Sequence, residues 1–182
     1  MMVAHWSETV LDFWFGELTQ EQWFKKDAAV DATITARFMA TYQTARAEPV
    51  AALAASPKAA LAAVIVLDQF PRNMFRDSPR AYESDAKALT VAEVALSEGH
   101  DAALSEDERH FLYMPFMHSE DLAHQERCVA LFEALGKEQG IKYAKLHRDV
   151  IARFGRFPHR NAVLGRQTTE AEKAHLDEHG GF

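Results

Sequence analysis

An all-α fold is predicted by three features of the chain. Ala is frequent while Gly (8 residues) and Pro (6) are sparse, which favours helices over a turn-rich β architecture. Apolar residues recur at helical spacing along most of the sequence, as in Ile34, Phe38 and Tyr42. No stretch alternates apolar and polar residues with the period of two that a half-buried strand needs. Neither a low-complexity linker nor an interior change of composition divides the 182 residues, so positions 1–182 are read as a single helical domain. Its expected architecture is about eight or nine helices packed as antiparallel pairs.

The elements follow in order. Ser7 is positioned to cap a short helix carrying Val10, Leu11, Trp14 and Phe15, with Gly16 as its stop. A turn at Thr19 leads to Trp23 and Phe24. A helix over 27–46 then presents Ile34, Phe38 and Tyr42 before Pro49. Ser56-Pro57 is a helix start, a cap residue followed by proline at the first helical position. Residues 58–68 are apolar nearly all round, the mark of a central buried helix. Pro71 predicts a stop near Gln69, because the residue before a proline is pushed out of the α region. After Ser78-Pro79 a helix runs to Gly99 with Tyr82, Ala86, Leu89 and Leu96 along one stripe. Ser105 and Glu108 form a capping-box pattern that opens the next helix, with an interruption expected at Pro115. Residues 122–135 are amphipathic with Cys128, Leu131, Phe132 and Leu135 inward. Residues 141–154 place Tyr143, His147, Val150 and Phe154 in register before Gly155. Thr169 and Glu172 repeat the capping-box pattern and open a short polar helix.

Composition excludes several function classes. With 48% hydrophobic and 26% charged residues the chain is globular rather than disordered. Cys128 is the only cysteine, so no internal disulfide and no thiolate metal cluster can form, and a reducing compartment is its natural setting. The first eight residues lack the basic-then-apolar pattern of a signal peptide. The longest apolar run, Ala59 to Leu67, is too short to span a bilayer. A cytoplasmic bacterial protein without membrane contact is expected. The net charge of −7 argues against nucleic acid as a partner. Charge is uneven, however. Residues 141–167 hold Lys142, Lys145, Arg148, Arg153, Arg156, Arg160 and Arg166 against Asp149 alone, a local +6 that leaves −13 elsewhere. This is either a solvated helix face or a local anion site.

Two short stretches match. Asp68-Gln69-Phe70-Pro71-Arg72-Asn73 and Arg156-Phe157-Pro158-His159-Arg160-Asn161 each set Phe-Pro ahead of an Arg-Asn pair after an apolar helix. Helix termination explains this arrangement: Pro stops the helix, Phe enters the core and Arg binds the free carbonyls. The functional alternative is a cleft in which Arg72 and Arg160 clamp an anion, Asn73 and Asn161 supply hydrogen bonds and His159 assists.

The segment around His118 carries the densest chemistry. His118, Glu120 and Asp121 follow Pro115 at the start of a helix, with Ser119 as a candidate cap. Capping accounts for the carboxylates. The same trio suits acid–base catalysis, with His118 as the proton carrier and Glu120 or Asp121 orienting it. No serine or cysteine nucleophile motif accompanies it. His118 and His124 are six residues apart and share no helix face, and no H-E-x-x-H spacing occurs. No metal and no cofactor is therefore expected. His147, on an apolar stripe, reads as a core histidine, Cys128 as a small buried hydrophobe, and Trp14, Trp23 and Phe24 as packing residues.

Five stretches carry a family resemblance: Val10-Leu11-Asp12-Phe13-Trp14-Phe15-Gly16, residues 67–75, Asp85-Ala86-Lys87-Ala88-Leu89, residues 111–121 and residues 153–165. Together they resemble the bacterial domain-of-unknown-function 924 family along nearly the whole chain. The resemblance implies stacked helical hairpins similar to tetratricopeptide-repeat proteins, although no 34-residue consensus is visible. It implies no activity, substrate or catalytic residue. It does place Arg72, Asn73, His118, Glu120, Arg160 and Asn161 inside the family's motifs. The expected function is a pocket for a small anionic ligand, with possible enzyme activity. The alternative is a scaffold that binds a protein or peptide partner on a concave helical surface.

Overall fold

The computed structural model describes residues 3–182, with side chains from Trp6 onward. Met1 and Met2, part of the segment read for a leader, lie outside the described residues. Among the described residues every regular element is helical. Ten helices follow one another: α1 (residues 3–17), α2 (Gln20–Phe24), α3 (Ala28–Ala47), α4 (Val50–Leu53), α5 (residues 57–74), α6 (Asp85–Ser97), α7 (Glu106–His118), α8 (Leu122–Leu135), α9 (Glu138–Phe154) and α10 (Glu170–His179). Single 3₁₀ turns lie at Pro79–Ala81, His100–Ala103 and Pro158–Arg160. The all-α expectation holds, and the chain divides into two compact units. One comprises the residues up to Arg76 together with Arg80–Pro115; the other comprises Asp77–Pro79 and Phe116–Phe182.

In the first unit α5 is the centre. Every residue from Ala60 to Leu67 is fully buried, as an all-apolar helix requires. Its partners α1, α3 and α6 pack around it. Aromatic rings fill the space between: Phe13 meets Phe38 at 5.1 Å, Phe38 meets Phe70 at 4.9 Å, and Trp14 meets Phe111 edge-on at 5.4 Å. The stripe expected of α6 is corrected. Its buried residues are Ala88, Val91, Ala92 and Ala95, whereas Ala86 is exposed and Leu89 and Leu96 are only partly covered. Small side chains let α6 lie close against the Ala-rich α5, and the leucines flank that contact.

Four predicted boundaries also move. Ser7 lies inside α1, which is already helical from Val3 and continues through Gly16 as a π-helical segment, Asp12–Glu17. Pro71 does not end α5. The helix widens to π geometry over Ile65–Gln69 and resumes as Phe70–Met74, with Phe70 at φ −57°, ψ −38°. Pro71 has no N–H for the carbonyl of Leu67 four residues back; the Ser84 hydroxyl donates to it instead, at 2.6 Å. Pro115 lies within α7 without interrupting it, because Phe111, Leu112, Phe116 and Met117 are buried on both sides of it and their packing outweighs one lost hydrogen bond. Finally, Asp121 rather than Ser119 caps α8, accepting from the amides of Ala123 (2.8 Å) and His124 (3.3 Å). It directly precedes the first helical residue, where a carboxylate reaches those donors best.

The second unit is built on the α8–α9 hairpin, joined by Gly136 and Lys137. Gln125, Cys128, Val129 and Phe132 of α8 face Gly140, Ala144, His147, Val150 and Ile151 of α9 as the buried residues. Of the inward positions expected, Leu131, Leu135 and Phe154 are half-buried and Tyr143 is exposed.

Ser84→Ala removes the donor that replaces the one Pro71 lacks. We expect a loss of about 1–3 kcal/mol, the cost of a buried unsatisfied carbonyl. It should read as a lower urea midpoint with an unchanged slope. A loss below about 0.5 kcal/mol, the range of an ordinary surface change, would show that the Leu67 carbonyl is satisfied in another way.

Candidate functional site

The two Phe-Pro stretches differ in backbone. Residues 68–73 are helical, whereas residues 156–161 leave α9 at Gly155 (φ 69°), pass through extended Phe157 and turn at Pro158–Arg160. Both phenylalanines are fully buried, as helix termination predicts for the second and core packing for both. The polar residues go separate ways. Arg72 donates to both oxygens of Asp85, at 2.8 and 2.9 Å, and to the Asp68 carbonyl at 2.6 Å. Burial alone would lower its pKa; the charges of Asp85 and Asp68 more than offset this and raise it. Asn73 donates to Asp31 at 2.8 Å, on a carboxylate that also receives Arg76. Arg72 and Asn73, expected in the anion clamp, are thus both engaged by carboxylates of their own chain.

In the second unit the polar residues converge on Phe157. Glu120 accepts from the Phe157 amide at 2.8 Å and takes Arg166 bidentately at 2.8 and 2.9 Å. Arg166 also donates to the Phe157 carbonyl (3.1 Å) and to the Asn161 side-chain oxygen (3.0 Å). Asn161, fully buried, passes the network to Glu172 at 3.2 Å, and Glu172 pairs with Arg156 at 2.7 and 3.0 Å. Glu120 and Asn161 thus brace the loop, and Asp121 caps α8. Burial raises the Glu120 pKa, but the Arg166 and Phe157 hydrogen bonds and the Arg166 charge outweigh it, and the carboxyl stays below its ordinary range. That suits an anchor better than a catalytic base. Of the predicted acid–base trio, His118 remains the candidate.

Around the Phe157 ring stand His147 (5.6 Å), His159 (5.7 Å) and the Arg160 guanidinium (4.6 Å). Arg160 is buried and donates to the His118 carbonyl at 2.9 Å. His118 is held at the end of α7 by Gln125, whose fully buried amide donates to the carbonyls of Phe116, Met117 and Ser119 at 3.3, 2.8 and 2.7 Å. His147 donates from Nδ1 to the Tyr143 carbonyl at 2.7 Å, so its other nitrogen is the acceptor. Burial pushes its pKa down to about 3, and His118, His159 and Arg160 add positive charge that pushes the same way. His147 is therefore a neutral core histidine, as its position on the apolar stripe implied, and also the floor of a cationic cluster.

Other chemistry is limited. Burial raises the Cys128 thiol to about 12, so it is no nucleophile. Among the described residues no group of three or more His, Cys, Asp or Glu side chains is placed to hold a metal ion. Much of the basic stretch is paired: Lys145 with Glu133, Arg148 with Asp149, Arg156 with Glu172 and Arg166 with Glu120. The anchoring role of Arg166 was legible only as one basic residue among seven. Phe182, whose ring stacks on His147, carried no signal in the sequence.

A family model described as a bacterial protein of unknown function (DUF924) matches residues 10–180. The solved structure of a protein of unknown function from Agrobacterium tumefaciens is 40% identical to this chain. It superposes with a TM-score of 0.92 over 97% of this chain and 99% of the other. No curated protein matches the sequence. The resemblance read from the five stretches is borne out.

Two acid-side effects are expected. Arg156 and the Thr169 amide hold Glu172 at about 2, against an ordinary 4.5. Its stabilisation is therefore complete above pH 4.5 and lost as pH falls toward 2. Glu172→Gln should unfold more easily than the native chain at neutral pH, with the gap closing across that window. A constant gap would mean that the carboxylate charge is irrelevant. For His147 the unfolded chain takes the proton first, near 6.5, so stability falls as pH drops from there toward 3. ¹⁵N NMR should show its neutral Nδ1–H form at pH 5. A titration midpoint near 6.5 would show that burial does not govern it.

Proposed function

The chain belongs to the DUF924 family of bacterial proteins, and we propose that it binds a small anionic ligand through Arg160, His118 and His159. The carrying observation is the convergence of Arg160 and His159, with the neutral His147, around one buried phenylalanine, with the backbone of His118 joined to Arg160 and its charge acting on His147. Charge in a poorly solvated place is felt strongly, and Arg160 is oriented by its stack on Phe157 and its bond to the His118 carbonyl. Glu120, which braces the Phe157 amide, is matched by Arg166. An anion is the ligand this field favours. His118 and His159 would then be positioned to exchange protons with it, which makes simple acid–base chemistry on the bound anion the enzymatic form of the reading. Among the described residues no helix is long and apolar enough to cross a membrane. A cytoplasmic setting fits the lone buried cysteine. The second reading, a protein-binding scaffold, draws on Phe24, which is 62% exposed beside Trp23 and His110.

The test is thermal unfolding in inorganic phosphate, small carboxylates and phosphate esters. A ligand at a hundred times its Kd adds about 2.7 kcal/mol, a rise of roughly 5–10 °C for this chain length. We expect such a rise with one anion class, its loss in Arg160→Gln and its partial retention in Arg160→Lys. A flat response across the panel would remove the anion reading and leave the scaffold.

A further inference from the structure

Of the nine histidines in the chain, one pair is four residues apart: His175 and His179. Both lie on α10, and positions i and i+4 of a helix share a face. Their rings stand with centroids 4.8 Å apart. Two imidazoles on one tetrahedral metal ion, each bound at about 2.1 Å, have centroids roughly 5 Å apart. The helix therefore already holds the pair at chelating distance.

The surroundings favour the same chemistry. Nδ1 of His175 is buried and has no hydrogen-bond partner among the described residues; a buried nitrogen in that position calls for an ion, a water or a function. The ring packs on Phe154 at 5.2 Å. Burial, then the charges of His179 and Arg153, lower the His175 pKa, while Glu178 acts the other way. The ring is thereby kept neutral, the form a metal requires. Oε2 of Glu178 lies 3.5 Å from Nε2 of His179, which sets a carboxylate beside a ring nitrogen. The order His175-Leu176-Asp177-Glu178-His179 is H-x-x-E-H, an arrangement used by one class of zinc enzymes. The pair also spans the last turn of α10, where the helix dipole favours positive charge.

We propose that His175 and His179 form a two-histidine site for a divalent transition-metal ion such as Zn²⁺, with Glu178 beside it and water in the remaining positions. The site does not rest on the anion reading above. Among the described residues no third His, Cys, Asp or Glu completes the set, so the ion keeps open positions and exchanges, unlike a closed structural zinc. The neighbouring Arg153 charge opposes hard cations such as Mg²⁺, which are held by oxygen donors and charge. Donation from imidazole nitrogen selects Cu²⁺, Ni²⁺ and Zn²⁺ instead. An ion bridging one helical turn also ties down the end of α10, from which residues 180–182 lead to the Phe182 stack on His147.

The test is a Zn²⁺ titration of the full chain without a tag, followed by calorimetry and by NMR of the histidine rings. We expect one ion per chain, with the His175 and His179 ring signals moving together and those of the other histidines unmoved. The His179 side chain is 54% exposed, so His179→Ala should keep the native thermal midpoint in the absence of metal. It should weaken Zn²⁺ by at least about tenfold, because the second imidazole no longer acts as a ligand held at high effective concentration. His175→Ala should weaken it likewise; if that variant unfolds, His179→Ala decides. Ni²⁺ should compete with Zn²⁺, and Mg²⁺ should not. Affinity should fall as pH drops through about 6.5, where imidazoles take protons in place of the metal. Equal Zn²⁺ affinity in the native chain and in His179→Ala overturns the proposal. So does a titration that moves the rings of other histidines and leaves these two unmoved. Displacement of Zn²⁺ by equimolar Mg²⁺ overturns it as well, since that would put the ion on carboxylates.

Discussion

A half-buried carboxylate has to be met by donors, and in the second unit that requirement organises nearly everything around the site. Glu120 spends three of its acceptor positions on Arg166 and the Phe157 amide. Arg166, so fixed, reaches the Phe157 carbonyl and the Asn161 side chain. Asn161 meets Glu172, and Glu172 meets Arg156 and the Thr169 amide at the start of α10. Each group is satisfied by the next, which is the condition under which a buried polar network stabilises a structure. The loop from 155 to 161 is thereby held in one shape, and Phe157 with it.

With Phe157 fixed, the placement of the cations follows. Arg160 lies over one side of its ring, His147 and His159 over others. Gln125 ties down the backbone on either side of His118 by donating to the carbonyls of Phe116, Met117 and Ser119. The charged and titratable groups are thus separated into two sets. Glu120, Glu172, Arg156 and Arg166 neutralise one another and do the bracing. Arg160, His118 and His159 add their positive charge around a neutral imidazole.

The first unit meets a different constraint with different means. A proline in a buried helix removes a backbone donor where water cannot replace it. Widening to π geometry over Ile65–Gln69 and lending the Ser84 hydroxyl to Leu67 solve this, and α5 remains one helix through the molecule's most apolar region. Arg72 completes the arrangement by donating to the Asp68 carbonyl and to both oxygens of Asp85. A sequence motif shared with the second unit therefore forms part of a helix here and a braced loop there.

What the sequence by itself determined were properties that depend on neighbours along the chain. Helical class follows from composition and apolar period. The capping boxes at Ser105 and Thr169, the start at Ser56-Pro57 and the stop at Gly155 are contacts within a few residues, and all are observed. The burial of Cys128 and His147 was legible because each sits on an apolar stripe. Tertiary structure alone decided the rest. Whether a proline ends a helix depended on a donor 13 residues beyond it in Ser84. Whether an arginine is spare depended on Asp85 for Arg72 and Glu120 for Arg166, partners that no local spacing identifies. The face that α6 buries was chosen by how closely alanines let it approach α5. The stacking of Phe182 on His147 joins residues 35 positions apart. Hydrogen bonds and ring contacts of this kind are short-ranged in space and unconstrained in sequence, so the site they build becomes visible only once the chain is folded.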